Sequence, residues 1–272
     1  NLKRAAEIAA ELEHLSSEFN LSSEPALSAA VNSSDWEAVI ALSDKISMTD
    51  HGYMFAAGLR TLALIGLGEP ETALREHQRM IDFITNTKID VPREILTLHQ
   101  AYFAEITGNA AEAISLYKSI SRLRNKKASY TLIAATAGLW RLGAHDNAEA
   151  ILRKYQGGEL ASEWLLHLYK TRQTKLIQKL NLRQLFAQFI FEFNWFGSVP
   201  SGRSLILPRI HLALSIWPEL DLGHLILAQT YFDQSDYKRA VDYLDQITSA
   251  SPYFNQAIML KMEIARQTGN AG

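Results

Sequence analysis

The sequence predicts an all-α fold built from antiparallel helix hairpins, and three observations predict it. No segment sustains the period-two alternation of apolar and polar residues that a half-buried strand needs. Apolar residues fall instead at helical spacing, as at Leu222, Leu225, Leu227, Ala228 and Tyr231, and again at Tyr237, Ala240, Val241, Leu244 and Ile247. The same punctuation also returns along the chain: a helical run, a glycine turn, then an alanine five residues after the glycine.

Taken in order, the elements follow that pattern. The run LKRAAEIAAELEHL after Asn1 reads as an amphipathic helix, and DWEAVIAL (35–42) as the start of another. Hairpins then surround Gly68, Gly108 and Gly143, with Ala73, Ala113 and Ala148 in the small position and Tyr117 and Leu152 among the larger packing residues beyond. The alanine spacing is 40 residues from Ala73 to Ala113 and 35 from Ala113 to Ala148, the period of a stacked array. After Gly157-Gly158 one further helix is expected over about Leu160–Tyr169, then an irregular basic linker over Lys170–Leu182. The aromatic run FAQFIFEFNWFG (186–197) is helical, with Phe186, Phe189, Ile190, Phe193 and Phe196 as a core stripe. Phe191 and Trp195 fall on another face, so this helix is either buried on both faces or presents a patch. The stretch 221–252 is a hairpin with Ser235 in place of the turn glycine and Pro252 as its stop. Asn255–Thr268 reads as the first helix of another, with Gly269 and Asn270 in the turn, so the chain is expected to continue into further repeats.

The bulk numbers narrow the function. Hydrophobic residues make up 47% and charged residues 21% of 272, with net charge −2, so no global basic field draws in nucleic acid. Without cysteine there is no disulfide and no thiolate metal site. No run approaches the roughly 18–20 apolar residues that cross a bilayer, and none of the given residues reads as a signal peptide. The opening Asn1 in place of Met reads as a processed or truncated product.

Catalytic patterns are missing. The histidines are scattered and no HExxH occurs; Glu163 and His167 share a helix face but supply too few ligands for a metal. Ser115 and Lys118 fit S-x-x-K on a repeat helix, where packing and exposure explain them. No G-x-S-x-G, G-x-G-x-x-G or Walker A sequence is present. No catalytic residue, metal ligand or cofactor is expected, and the chain reads as not an enzyme. Between Glu163 and Glu192 there is no acid, while Lys170, Arg172, Lys175, Lys179 and Arg183 accumulate; a smaller cluster is Arg122, Arg124, Lys126 and Lys127. A solvated linker accounts for this, the alternative being a surface for an anionic partner.

The stretch 221–254 resembles a tetratricopeptide repeat, a helix–turn–helix of about 34 residues. Counted from Asp221, Leu227 and Ala228 take the leucine–small pair, Tyr231 the aromatic of the first helix, Ala240 the small residue of the second, Leu244 and Ile247 its packing positions, and Pro252 the terminal proline. His224 departs from the usual aromatic. Repeats near Glu94 and Ser129 are similar, and the resemblance covers most of the chain: repeats over 1–156, an insert over 157–183, and repeats over 184–272.

The resemblance implies an αα-hairpin superhelix whose concave groove binds a partner protein or peptide. Groove positions carried over from the family are Leu98, Tyr102 and Glu105, then Tyr130, Ile133, Trp140 and Arg141, then Phe191 and Trp195. The lysine, asparagine and arginine set of carboxylate-clamp members is absent from these positions, which argues against EEVD-type ligands. The expected function is a non-enzymatic interaction scaffold. The alternative is a regulatory or ligand-sensing module of a larger protein. Likeness to long bacterial members implies a cytoplasmic or cell-envelope setting in a bacterium.

Overall fold

The computed structural model describes residues 24–46, 50–87, 91–122, 128–155, 162–196 and 203–269. The run after Asn1, the bases Arg124, Lys126 and Lys127, and the Gly157-Gly158 break lie outside them. Among the described residues there is no strand, and fourteen α-helices pack in adjacent pairs. They are α1 (Glu24–Ser33), α2 (Trp36–Ser43), α3 (Asp50–Gly66), α4 (Pro70–Thr87), α5 (Arg93–Ile106), α6 (Ala110–Ile120), α7 (Ala128–Arg141), α8 (His145–Lys154) and α9 (Ser162–Lys170). A single 3-10 turn, Lys175–Ile177, follows. Then come α10 (Leu182–Phe196), α11 (Arg203–Ile216), α12 (Asp221–Asp233), α13 (Tyr237–Leu244) and α14 (Phe254–Thr268).

One device closes the hairpins. The first or second residue past the helix end adopts the left-handed region at Ser34, Gly68, Gly108, Gly143, Arg172 and Ser235, with φ between 53° and 86°. At each, its N–H donates to the carbonyl three residues back and the next N–H donates to the carbonyl five back, as in Gly108 to Glu105 and Asn109 to Ala104. This is the Schellman motif, which satisfies carbonyls that a helix end would otherwise leave unpaired. Asp35, Asn109 and Asp236 then cap the next helix, each accepting from the N–H three residues on. Pro70 opens α4 at a position where the missing N–H costs nothing. Only the turn at Arg172 leads into no hairpin; it releases the chain into the irregular 173–181 segment.

The alanines five residues beyond these turns sit where two helix backbones approach. Ala73, Ala113, Ala148 and Ala240 are all 0% exposed, so a larger side chain there would push the pair apart.

The helix α10 decides the rest of the architecture. It pairs with α11, and it also packs on α1, α3 and α5, while α11 packs on α1. The chain therefore returns to the first of the described helices. Phe186 stacks on Trp36 at 5.5 Å, and Phe189 lies 5.8 Å from Phe55 and 5.4 Å from His99. The fit is close: a Cβ on Gly58 of α3 would stand 1.9 Å from the Phe189 ring. The main core accordingly runs from Leu27 and Val39 through Phe55, Phe186 and Ile190 to Leu227, Ala240 and Ile264. Among the described residues it joins the earliest hairpins to the latest.

The segment 171–181 is pinned rather than loose. Lys170 pairs with Glu149 at 3.3 Å and Lys175 with Glu219 at 3.0 Å. Arg183 donates to the Asn32 side chain and to the Ile216 carbonyl. Bases of the acid-free stretch thus find partners on α8, on α1 and α11, and in the turn before α12.

Candidate binding cleft

The resemblance-derived groove residues fall into three environments. Leu98, Tyr102, Ile133 and Phe191 are 0–5% exposed. Tyr102 accepts a hydrogen bond from Gln188 Nε2 at 2.9 Å, and Tyr130 lies 6.4 Å from Phe191 and donates its hydroxyl to Glu192. Tyr102 and Tyr130 are thus both met by α10, the helix that carries Phe191. Leu98 and Ile133 belong to separate core clusters.

Glu105 and Arg141 form the second environment. Arg141 donates Nε to Glu105 Oε1 (2.6 Å), Nη2 to Oε2 (2.7 Å) and Nη1 to the Leu176 carbonyl (2.6 Å), and the Tyr117 hydroxyl donates to Glu105 Oε2 at 2.6 Å. Burial works against the Arg141 charge, but the Glu105 hydrogen bonds outweigh it and push the guanidinium pKa up. Tyr117 is driven up chiefly by burial. This bidentate clamp ties α5, α6 and α7 to the linker.

Trp140 stands apart, half-buried, 5.3 Å from Tyr169 and 4.4 Å from His145. The side chain of Trp195 lies outside the described residues.

Beneath α10 the polar groups are paired across long sequence distances. Glu192 is 0% exposed, with Oε2 2.5 Å from His99 Nε2. Burial pushes its pKa up and His99 opposes this. His77 packs flat on Phe103 at 5.1 Å, and burial, reinforced by His99, pushes its pKa down to about 4.

An open cleft remains beside this covered region. Its volume is about 350 Å³, and it lies where α7, the 173–176 segment, α10, the 217–222 turn and the 246–253 loop converge. Gln188, Thr174, Leu220, Pro252 and Tyr253 form a buried floor, while Gln173, Lys175, Glu219, Gln246 and Thr248 stand exposed at the mouth. Tyr130 and Trp217, both half-buried, line the walls. A smaller cavity of about 30 Å³ shares Tyr130, Lys175, Gln188, Trp217 and Tyr253 and extends the site towards Ile133 and Arg141. Burial pushes the Asp221 carboxyl up, opposed by Ser251, His224 and Lys175. The Tyr253 hydroxyl is pushed well up, again first by burial and then by Asp221.

Of the predicted groove residues, Tyr130 lines the larger cleft; Ile133, Arg141 and Tyr102 line only the small extension. Sequence reasoning missed Gln188, Trp217, Asp221 and Tyr253, which lie on three separate segments. The available signal was Gln188 and Glu192, polar residues at the centre of an otherwise apolar helix. Among the described residues no three His, Asp or Glu side chains gather as a metal site, and no helix is long and apolar enough to cross a membrane. No family model and no curated protein matches the chain.

Proposed function

We propose that the chain is a non-enzymatic interaction module of tetratricopeptide type, a superhelix of αα-hairpins that receives a segment of a partner polypeptide in the cleft. The observation that carries this reading is the contrast between the covered inner residues and the cleft. Two of the positions at which such repeats bind ligands, Tyr102 and Tyr130, are engaged by Gln188 and Glu192 of α10, and an opening of about 350 Å³ is left beside it. That volume lies at the lower end of the roughly 300–1,000 Å³ typical of ligand sites. It admits a side chain with its flanking backbone, not a folded element. The repeated turns and buried alanines support the repeat assignment; the tight seating of Phe189 over Gly58 supports α10 as a fixed occupant.

A photo-crosslinking amino acid at Gln246, exposed at the mouth, tests the reading; the same group at Glu71, exposed at the start of α4, is the control. A discrete protein crosslinked from Gln246 and not from Glu71 supports it. Equal capture from both sites, or none from Gln246, overturns it. The second reading, a ligand-sensing module of a larger protein, is favoured by the walls that surround the cleft. It predicts that a low-molecular-weight fraction, and no protein, blocks labelling at Gln246.

A further inference from the structure

We propose that the cleft receives a positively charged side chain, lysine or arginine, of the partner polypeptide, held among Tyr130, Trp217 and Tyr253 with the carboxylates of Asp221 and Glu219. This rests on the reading of the cleft as a partner site and adds the chemistry of what enters it.

Charge points the same way as shape. Lys175, Glu219 and Asp221 are the charged side chains lining the cleft, one cation against two acids. Lys175 is already engaged with Glu219 at 3.0 Å. Among the described residues no cation is ion-paired with Asp221, and burial disfavours its charged form by more than Ser251, His224 and Lys175 favour it. An incoming cation would compensate that carboxylate; an incoming anion would meet two acids and no unengaged base.

The floor adds an acceptor. Gln188, 8% exposed, gives its amide N–H to Tyr102 and carries a carbonyl acceptor on the same lining. Ammonium and guanidinium groups carry only donors, so they complement a carbonyl and a carboxylate together. Aromatic rings attract cations through the negative potential of their faces, and three line this site. The Lys175–Glu219 pair at the mouth is more than half exposed on both sides. Such pairs contribute little to stability, so an entering cation can exchange with Lys175 at small cost.

The test uses the whole chain with the Trp217 indole N–H followed by NMR. Titrants are Nα-acetyl-lysine methylamide, its norleucine and glutamate counterparts, and peptide mixtures with lysine, arginine, norleucine or glutamate fixed at the centre. Lysine and arginine probes should shift Trp217 saturably, with peptides tighter than the single amino acid. Affinity should fall about fivefold or more in Asp221→Asn, and about twofold in Glu219→Gln, where the carboxylate is more exposed and screened. If Asp221→Asn fails to fold, the exposed Glu219→Gln decides. Equal binding of norleucine- and lysine-centred peptides overturns the charge inference while leaving a peptide site. Equal binding of peptide and single amino acid overturns the polypeptide source. Failure of every probe and peptide to move Trp217 overturns both this inference and the cleft reading.

Discussion

The hairpin of α12 and α13 and the helix α10 use their apolar residues in opposite ways. In α13 only Ala240 and Leu244 are buried, while Lys238, Arg239 and Asp242 face water. The helix has one inward stripe, an Asp236 cap and a Schellman turn, all supplied by its neighbours in sequence. In α10 every residue from Leu185 to Glu192 is buried, including Gln188 and Glu192. Those two side chains find partners on α5 and α7, at Tyr102, His99 and Tyr130. A buried polar group without a partner is costly, so α10 is stable only where those distant helices meet it. The hairpin is specified locally and α10 collectively.

The comparison is most sharply tested at Phe189. Its ring interlocks with α3 at Gly58 and packs on Phe55 and His99. Phe189→Ala should cost about 3–5 kcal/mol by urea denaturation. Hydrogen exchange should show lost protection in α10 with the α12–α13 turn little changed. Uniform loss across both regions would break the distinction.

The next effect is one of pH. Held at about 4 when folded, against 6.5 ordinarily, His77 binds a proton in the unfolded chain that the folded chain refuses between those values. Stability therefore falls as pH drops below about 6.5, by about 2 kcal/mol at pH 5 for this group. His77→Phe keeps an aromatic ring against Phe103 and removes the titration. Its advantage over the parent in urea midpoint should grow between pH 7 and 5; parallel curves would show that His77 is not the source.

The smallest effects sit in the turns. Gly108→Ala places a Cβ in open space, so only the left-handed φ of 86° opposes it, and a loss of about 1 kcal/mol is expected. Ser235 holds the same conformation at φ 62° without being glycine, so Ser235→Gly should gain up to about 1 kcal/mol. Thermal denaturation of the pair reads both signs. The same sign for both would mean that the two turns are not equivalent.

Helices, turns and their small residues were legible because each depends on contacts within a few residues. Gly68, Gly108, Gly143 and Ser235 carry the left-handed turn where the repeated pattern places it, and the alanine beyond each is fully buried. The aromatic helix was legible as buried on both faces or exposed in a patch, but not as one or the other. Periodicity reports which residues share a face, not what covers that face. Only the tertiary structure seated Phe191 against Tyr130, gave Glu192 to His99, and drew Tyr130, Gln188, Trp217, Asp221 and Tyr253 to one cleft. Helix hydrogen bonds and turn conformations are short-range and repeat with the sequence. The return of α10 to α1, α3 and α5 is a long-range choice, made by the fit of rings to backbone at Gly58 and by the partners that its buried polar side chains require.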